Sequence, residues 1–438
     1  MMRIFDRVSD ILFWLEKKND LSLFHVEKIK FSQLKDWNFQ TKTGNLAHQS
    51  GNFFKLIGAD IITNWGEINR WSQPIILQDE IGILGILLKY INDVPHFLLQ
   101  AKFEPGNING AQLSPTTQAT KSNYSKVHGG SSVKYLSYFR DFSKKRVVID
   151  QLQSEQGSRF LKKRNRNIII EIKEDIDLDE NFLWVSISQI IELLEKDNII
   201  NMNTRSVLAG FLLHNFKDIK KQLTSVHSYN EIISWITEQK VHYELNVKEI
   251  PLHSVNSWEI TEEQIKHKHD KYFSVIPLNV NIKGREVENW TQPILEPKQD
   301  GICAFIVKKI LGTWHFLIQA KVECGNVDII EMAPTVQCLN DNFKRSVKIL
   351  PFLDYVLNVN KKDILFDTMF SEEGGRFYHE QNRNMIVKVS DKFPIHVPDN
   401  YIWLTLHQLN HFLKFNNYLN VQSRSLLSTI VGKEHEYC

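Results

Sequence analysis

Apolar and polar positions along this chain settle into two kinds of pattern. In IGILGILLKYIND and VPHFLLQAKF, two largely apolar runs meet at Asn92-Asp93, which predicts two strands and a tight turn. Phe97, Leu99 and Ala101 then fall on one face of the second strand, and His96, Leu98 and Gln100 on the other. GICAFIVKKILG and TWHFLIQAKV repeat this pair further on. Helical spacing is confined to a few stretches: Ile11, Leu12 and Leu15 near the start, and Ile190, Ile191, Leu193 and Leu194 behind a cap at Ser186 or Ser188. LTLHQLNHFLKF is the second copy of that capped helix, and FLLHNFKDIKKQL and YNEIISWITEQ are read as helices of a packed connector. VVIDQLQSEQG begins apolar and is read as turning helical to about Lys163, ahead of a strand NIIIEI. Pro105-Gly106 opens a turn-rich stretch that leaves Glu104 at a strand end.

The repetition extends well beyond the hairpins. Trp71 returns as Trp290, His96 as His315, Lys102 as Lys321, Glu104 as Glu323, Asn107 as Asn326 and Pro115 as Pro334, all at one spacing. DQLQSEQGSRFLKKRNRN (Asp150 to Asn167) returns as DTMFSEEGGRFYHEQNRN (Asp367 to Asn384) with the spacing slipped by two, and it is restored at Trp184 with Trp403 and Arg205 with Arg424. A match of that extent marks duplication of a whole unit, not a short solenoid repeat. The expected organisation is an N-terminal helix over residues 1–21, a first α+β domain over 22–210, a helical connector over 211–240 and a second α+β domain over 241–438. Two such units are expected to face each other across a pseudo-twofold axis, because a surface patch can satisfy its twin.

Composition narrows the function classes. In 438 residues, 26 Phe, 12 Tyr and 10 Trp within a 42% apolar total supply two packed interiors and exclude a disordered chain. The formal charge of +2 offers no footprint for a dedicated nucleic-acid binder, and no apolar run has the length of a membrane span. Asp6, Asp10 and Glu16 interrupt any signal-like segment at the start. Cys303, Cys324, Cys338 and Cys438 lack CxxC spacing, which fits a reducing compartment without structural zinc; a cytoplasmic location is expected. No HExxH, Walker, EF-hand or dinucleotide-loop pattern is present, so neither a metal nor a cofactor is expected.

Duplication supplies an internal comparison. Folding residues should persist in both copies, whereas a catalytic group needed once is kept in one. Ser114, Tyr124 and His128 of the first copy become Ala333, Phe343 and Val347 in the second, which points to one reactive site and one that binds only. His128 precedes two glycines and titrates near neutrality; its alternative is a plain loop histidine. Tyr124 can donate to a carbonyl or hydroxyl, or serve as a core aromatic with a wet edge. Lys102 and Glu104 share a face, so Lys102 can steady developing negative charge and Glu104 handle a proton, or the two simply fix a turn. Glu155, Arg159, Arg164 and Arg166, with Arg376 and Arg383 as echoes, fit a diphosphate clamp or, alternatively, helix-to-strand ties through carboxylates. Trp71 and Trp290 can stack on a nucleobase or anchor cores, while Asn107 and Gln118 recur in both copies as further candidate substrate contacts.

WSQPII, HFLLQAKFEPGN, QLSPTTQATKSNY, VHGG and LQSEQGSRFLKKRNRN closely resemble the NDP-hexose 2,3-dehydratases, over nearly the full chain. The resemblance implies cofactor-independent dehydration of dTDP-4-keto-6-deoxy-D-glucose at C2 and C3, a homodimer, two Nudix-like domains that both bind sugar nucleotide, and a downstream 3-ketoreductase. For such a reaction His128 and Glu104 are expected to transfer protons, Tyr124 and Ser114 to orient hydroxyls, Lys102 or Tyr124 to steady the enolate oxygen, and the arginines to hold the diphosphate. QLQSEQG and TMFSEEG occupy the place of a Nudix box, yet keep only Glu155 and Glu372 at ligand-like positions, which argues against metal-assisted diphosphate hydrolysis. The alternatives are such a metal-dependent diphosphatase and a sugar-nucleotide binder without turnover.

Overall fold

The hairpin expected at Asn92-Asp93 forms, with Gly82–Ile91 and Val94–Phe103 paired antiparallel. Both turn residues take left-handed φ values, 49° and 61°, which short polar side chains tolerate and which match the strand twist. The computed structural model describes residues 2–120, 133–140, 146–211, 224–282, 288–339 and 350–437. In the first half this hairpin sits in a sheet ordered Arg146–Ser154, Arg164–Glu171, Gly82–Ile91, Val94–Phe103, Phe182–Ser186, with two short strands, Ala111–Pro115 and Thr117–Ala119, alongside. The sheet is mixed, because Arg164–Glu171 runs parallel to Gly82–Ile91 while the other pairings are antiparallel. Phe97 and Leu99 enter one apolar core and Leu98 another, so the alternation read from the sequence has become the two faces of one sheet. The second half repeats the arrangement from Ile364–Ser371 to Tyr401–Thr405.

Helix ends follow local chemistry. Ser186 caps Ile187–Leu194 in a capping box with Gln189, and Thr405 with Gln408 does the same for Leu406–Phe412. The first helix, Val8–Leu21, buries Val8, Ile11 and Leu15 on the first half. Its Asn19 also clamps the loop after Glu104, donating to the Asn109 carbonyl at 3.0 Å and accepting from the Ala111 amide at 2.9 Å. Of the connector, Tyr229–His242 is a helix behind a capping box at Ser228, and residues 212–223 lie outside the described residues.

One local expectation is overturned. The stretch from Gln151 to Lys163 is not helical: Arg146–Ser154 is a strand, the chain reverses through Glu155 to Arg159, and Phe160–Leu161 is a short strand. In the β-branched run Val147-Val148-Ile149, Val147 pairs with Ile170 and Ile149 with Ile169 across a register shift at Val148, and that ladder carries the backbone extended as far as Ser154. The Nudix-box resemblance of QLQSEQG is therefore one of spacing, without its helix.

The halves exchange strands. His25–Lys28 pairs with Phe273–Asn281 of the second half, and Leu245–Ile250 pairs with Lys55–Thr63 of the first. The linear boundaries near residues 22 and 241 thus do not coincide with the sheets. At the centre, the Gly106 amide donates to the Gly374 carbonyl at 2.7 Å and the Gly325 amide to the Gly157 carbonyl at 2.6 Å, two equivalent bonds related by the internal duplication. Buried Arg205 and Arg424 complete the exchange, each donating through Nε to a serine of the other half, Ser425 at 2.7 Å and Ser206 at 3.0 Å. No helix among the described residues is long and apolar enough to cross a membrane.

Candidate active site

Lys102 stands next to the end of its strand, and Glu104 two residues on points to the same side. The turn that follows is locked: Asn107 donates through Nδ2 to the Lys102 and Gly110 carbonyls at 3.1 and 2.8 Å, and its amide donates to the Glu104 carbonyl. Held in this way, the Lys102 ammonium lies 2.9 Å from Glu104 Oε1, with both side chains largely buried. The pair opens into a cavity of about 960 Å³. Gln118, on the short strand Thr117–Ala119 that pairs with Gly82–Ile91, donates through Nε2 to Glu104 Oε1 at 3.2 Å and lies 3.4 Å from Glu373 Oε1.

Glu373 belongs to the other half, and so does much of the opposite wall. Trp290, Glu373 and Arg376 come from the second half, while Trp37, Phe53 and Phe54 come from the first. The Arg376 guanidinium sits 4.3 Å over the Phe54 ring. Trp290 is oriented by a hydrogen bond from its Nε1 to Gln292 at 2.8 Å. Glu155 accepts from Asn165, and Lys163 donates to the Glu80 carbonyl, all of them lining the same space.

The electrostatics are those of a pocket lined by both carboxyls and cations. Burial, followed by the nearby Glu104 charge, pushes the Glu373 carboxyl up to about 7. Burial raises Glu155 as well, and it lowers the Lys163 ammonium to about 8. Glu104 Oε2, Gln118 Oε1, Glu155 Oε2 and Arg376 Nε are buried without a hydrogen-bond partner in the protein. Such groups are rare in folded proteins and, clustered around one cavity, they suit a polar ligand. No group of three His, Cys, Asp or Glu side chains among the described residues is placed to hold a metal ion.

The profile of the NDP-hexose 2,3-dehydratase family matches residues 8–211 and again residues 229–430. This chain belongs to that family. It is 42% identical over 431 residues to the dTDP-4-dehydro-6-deoxy-alpha-D-glucopyranose 2,3-dehydratase of Amycolatopsis orientalis, across 97% of this chain and 90% of the relative. The enzyme of the same description from Saccharopolyspora spinosa is 41% identical over 436 residues, covering 95% and 90% of the two chains. That from Streptomyces violaceoruber is 39% identical over 438 residues, covering 98% of each. A solved structure of an ADP compounds hydrolase is matched with a TM-score of 0.26 at 12% identity, over 37% of this chain and 87% of that one, a likeness that carries no argument.

Of the residues singled out from the sequence, this member of the dehydratase family brings Lys102, Glu104, Gln118, Glu155, Trp290 and Arg376 to the cavity. Tyr124 and His128 lie outside the described residues. Ser114 is fully buried and accepts from Asn201, the cap of the helix Met202–Ala209, so its hydroxyl serves the core rather than the cavity wall. Asn107 braces the turn from behind. Arg166 and Arg383 are each held by two hydrogen bonds to a cross-strand aspartate, Asp150 and Asp367, a strand-to-strand tie and not the helix-to-strand one weighed from the sequence. Arg164 is half-buried at the strand start and does not line the cavity. Arg159 crosses to the second half, 4.4 Å over the Phe273 ring, and Trp71 likewise lies outside the first-half cavity. Glu373 and Lys163 were missed. Their signal was available in the repeat, where Glu373 stands opposite Gln156 and Lys163 opposite Glu380.

Proposed function

We propose that the first-half cavity carries out the 2,3-dehydration of dTDP-4-keto-6-deoxy-D-glucose without a metal or redox cofactor. The observation that carries this reading is the buried Lys102–Glu104 pair facing a cavity whose far wall bears Trp290 and Arg376. A ketone at C4 acidifies the hydrogen at C3, so a carboxylate suffices to remove it. Lys102 lies within the same group and steadies the enolate oxygen that forms. Loss of the C2 hydroxyl, protonated as it departs, leaves an enol that tautomerises to the 3,4-diketo-2,6-dideoxy sugar nucleotide. Arg376 holds the diphosphate and Trp290 stacks on the base. Tyr124 and His128 remain proposed partners in orientation and proton transfer from the sequence comparison. Residues 22–210 would form the catalytic unit, 211–240 the connector and 241–438 a unit that contributes binding surface, each unit a Nudix-like variant without the metal carboxylates. The diketone is labile, so a 3-ketoreductase acting next in the cytoplasm and a homodimeric enzyme belong to the same proposal.

Protein treated with EDTA and incubated with dTDP-4-keto-6-deoxy-D-glucose in deuterated water is expected to convert it with loss of one water, at a rate chelation does not change. Mass spectrometry and NMR of the product decide this; an intact sugar nucleotide, or one cleaved at the diphosphate, sinks the reading. Arg376→Ala is expected to raise KM roughly 10- to 100-fold with kcat changed only a few-fold, since a charged hydrogen bond to phosphate contributes about 1.5–3 kcal/mol to ground and transition state alike. A selective fall in kcat measured by initial rates would move Arg376 from binding to chemistry.

A further inference from the structure

The proposed reaction needs a proton removed at C3 and another delivered to the departing C2 oxygen. We infer that Glu373, supplied by the second half of the chain, is the acid at C2 and that Glu104 is the base at C3. The inference rests on the reading of the first-half cavity as the reactive one.

Three observations carry it. Glu104 and Glu373 face the same cavity and share the Gln118 amide, at 3.2 and 3.4 Å. The cation is unequally placed: Lys102 lies 2.9 Å from Glu104, so the negative charge of the pair rests on that side and the shared proton on Glu373. Burial first, then the Glu104 and Glu155 charges, push the Glu373 carboxyl up to about 7 against the lowering effect of Arg376 and Lys102, which favours the protonated acid below that pH. The third observation is internal to the duplication. Lys102, Glu104 and Gln118 all return as Lys321, Glu323 and Gln337, and Gln337 again donates to the glutamate, at 3.0 Å. The position equivalent to Glu373, however, is Gln156. The second half therefore keeps the base-like carboxylate and its amide but lacks the matching acid.

The steps balance. Glu104 takes the C3 proton, and the C–H electron pair becomes the C3=C4 enolate. The enolate re-forms the C4 carbonyl and pushes its pair into C2=C3 as the C2–O bond breaks. Glu373 gives its proton to the leaving oxygen, which departs as water. The carboxyl pair starts and ends with one proton, moved from Glu373 to Glu104.

Proton removal and elimination can be read separately. In deuterated water, Glu373→Gln is expected to exchange the C3 hydrogen of recovered substrate within a few-fold of the wild-type rate, while elimination falls at least about 100-fold. Glu104→Gln is expected to lose both. Elimination by Glu373→Gln within tenfold of wild type overturns the inference, and so does loss of exchange together with elimination in a variant that still binds dTDP by calorimetry. If Glu373→Gln does not fold, Glu373→Asp keeps the acid on a shorter arm; slowed elimination with exchange intact supports the assignment, and slowed exchange overturns it. Full exchange and elimination in Glu104→Gln would instead overturn the placement of the reaction in this cavity, a different failure with a different signature.

Discussion

Glu104→Gln is expected to lower kcat by about 10²–10⁴-fold, the span associated with removing a positioned proton-transfer group. The substitution is nearly isosteric. An amide oxygen can still accept from Gln118, and Asn107 still holds the turn through the backbone, so the loop keeps its course. What changes is basicity, together with the counter-charge to a largely buried Lys102. Leaving that ammonium without its carboxylate costs some stability, which unfolding in denaturant would report independently of turnover. Single-turnover assays and a dTDP binding titration check the prediction. Weakened binding with unchanged kcat would place Glu104 in recognition instead.

Gly106→Ala is expected to be the most damaging single methyl among the described glycines. A Cβ at Gly106 would lie 1.6 Å from the Phe377 carbonyl oxygen, a backbone atom that no rotamer change can move aside. Its counterpart Gly325 would meet the Phe160 carbonyl oxygen at 1.8 Å. The two halves are joined at these points by amide-to-carbonyl bonds in both directions: Gly106 to Gly374, His379 to Gly106, Gly325 to Gly157 and Lys162 to Gly325. The methyl must therefore push the halves apart. Overpacking of this kind costs about 1–3 kcal/mol even where side chains can yield, so about 3 kcal/mol or more is expected here. Denaturant midpoints of Gly106→Ala and Gly325→Ala measure it, and activity should fall with them, because Glu373 and Arg376 lie on the far side of the seam. An alanine variant with wild-type stability would mean that the halves are not joined as described.

Much of the fold was legible because its determinants are local. The Asn92-Asp93 turn, the capping boxes at Ser186 and Thr405 and the amphipathic helix Val8–Leu21 each depend on residues a few positions apart. The stretch from Gln151 to Lys163 was misread for the opposite reason: its extended state depends on pairing with Arg164–Glu171 across a reversal, and isolated spacing does not report that partner. Among the site residues, Lys102 and Glu104 could be read as a same-face pair, and their contact is what strand alternation predicts. The arginines could not be sorted. Arg166 and Arg383 spend their donors on cross-strand aspartates, while Arg159 and Arg376, equivalent in the repeat, enter different halves.

By itself the sequence determined that one unit was duplicated, where its hairpins and capped helices lie, and which family the chain belongs to, because these follow from neighbouring residues and from the repeat. Only the tertiary structure decided that the first-half cavity is completed by the second half. Strands exchanged between sheets and glycines packed backbone to backbone turn equivalent positions toward opposite sites, so Trp290, Glu373 and Arg376 face the Lys102–Glu104 pair while Trp71 and Arg159 do not. That crossing depends on contacts between segments hundreds of residues apart, and no local pattern encodes their meeting.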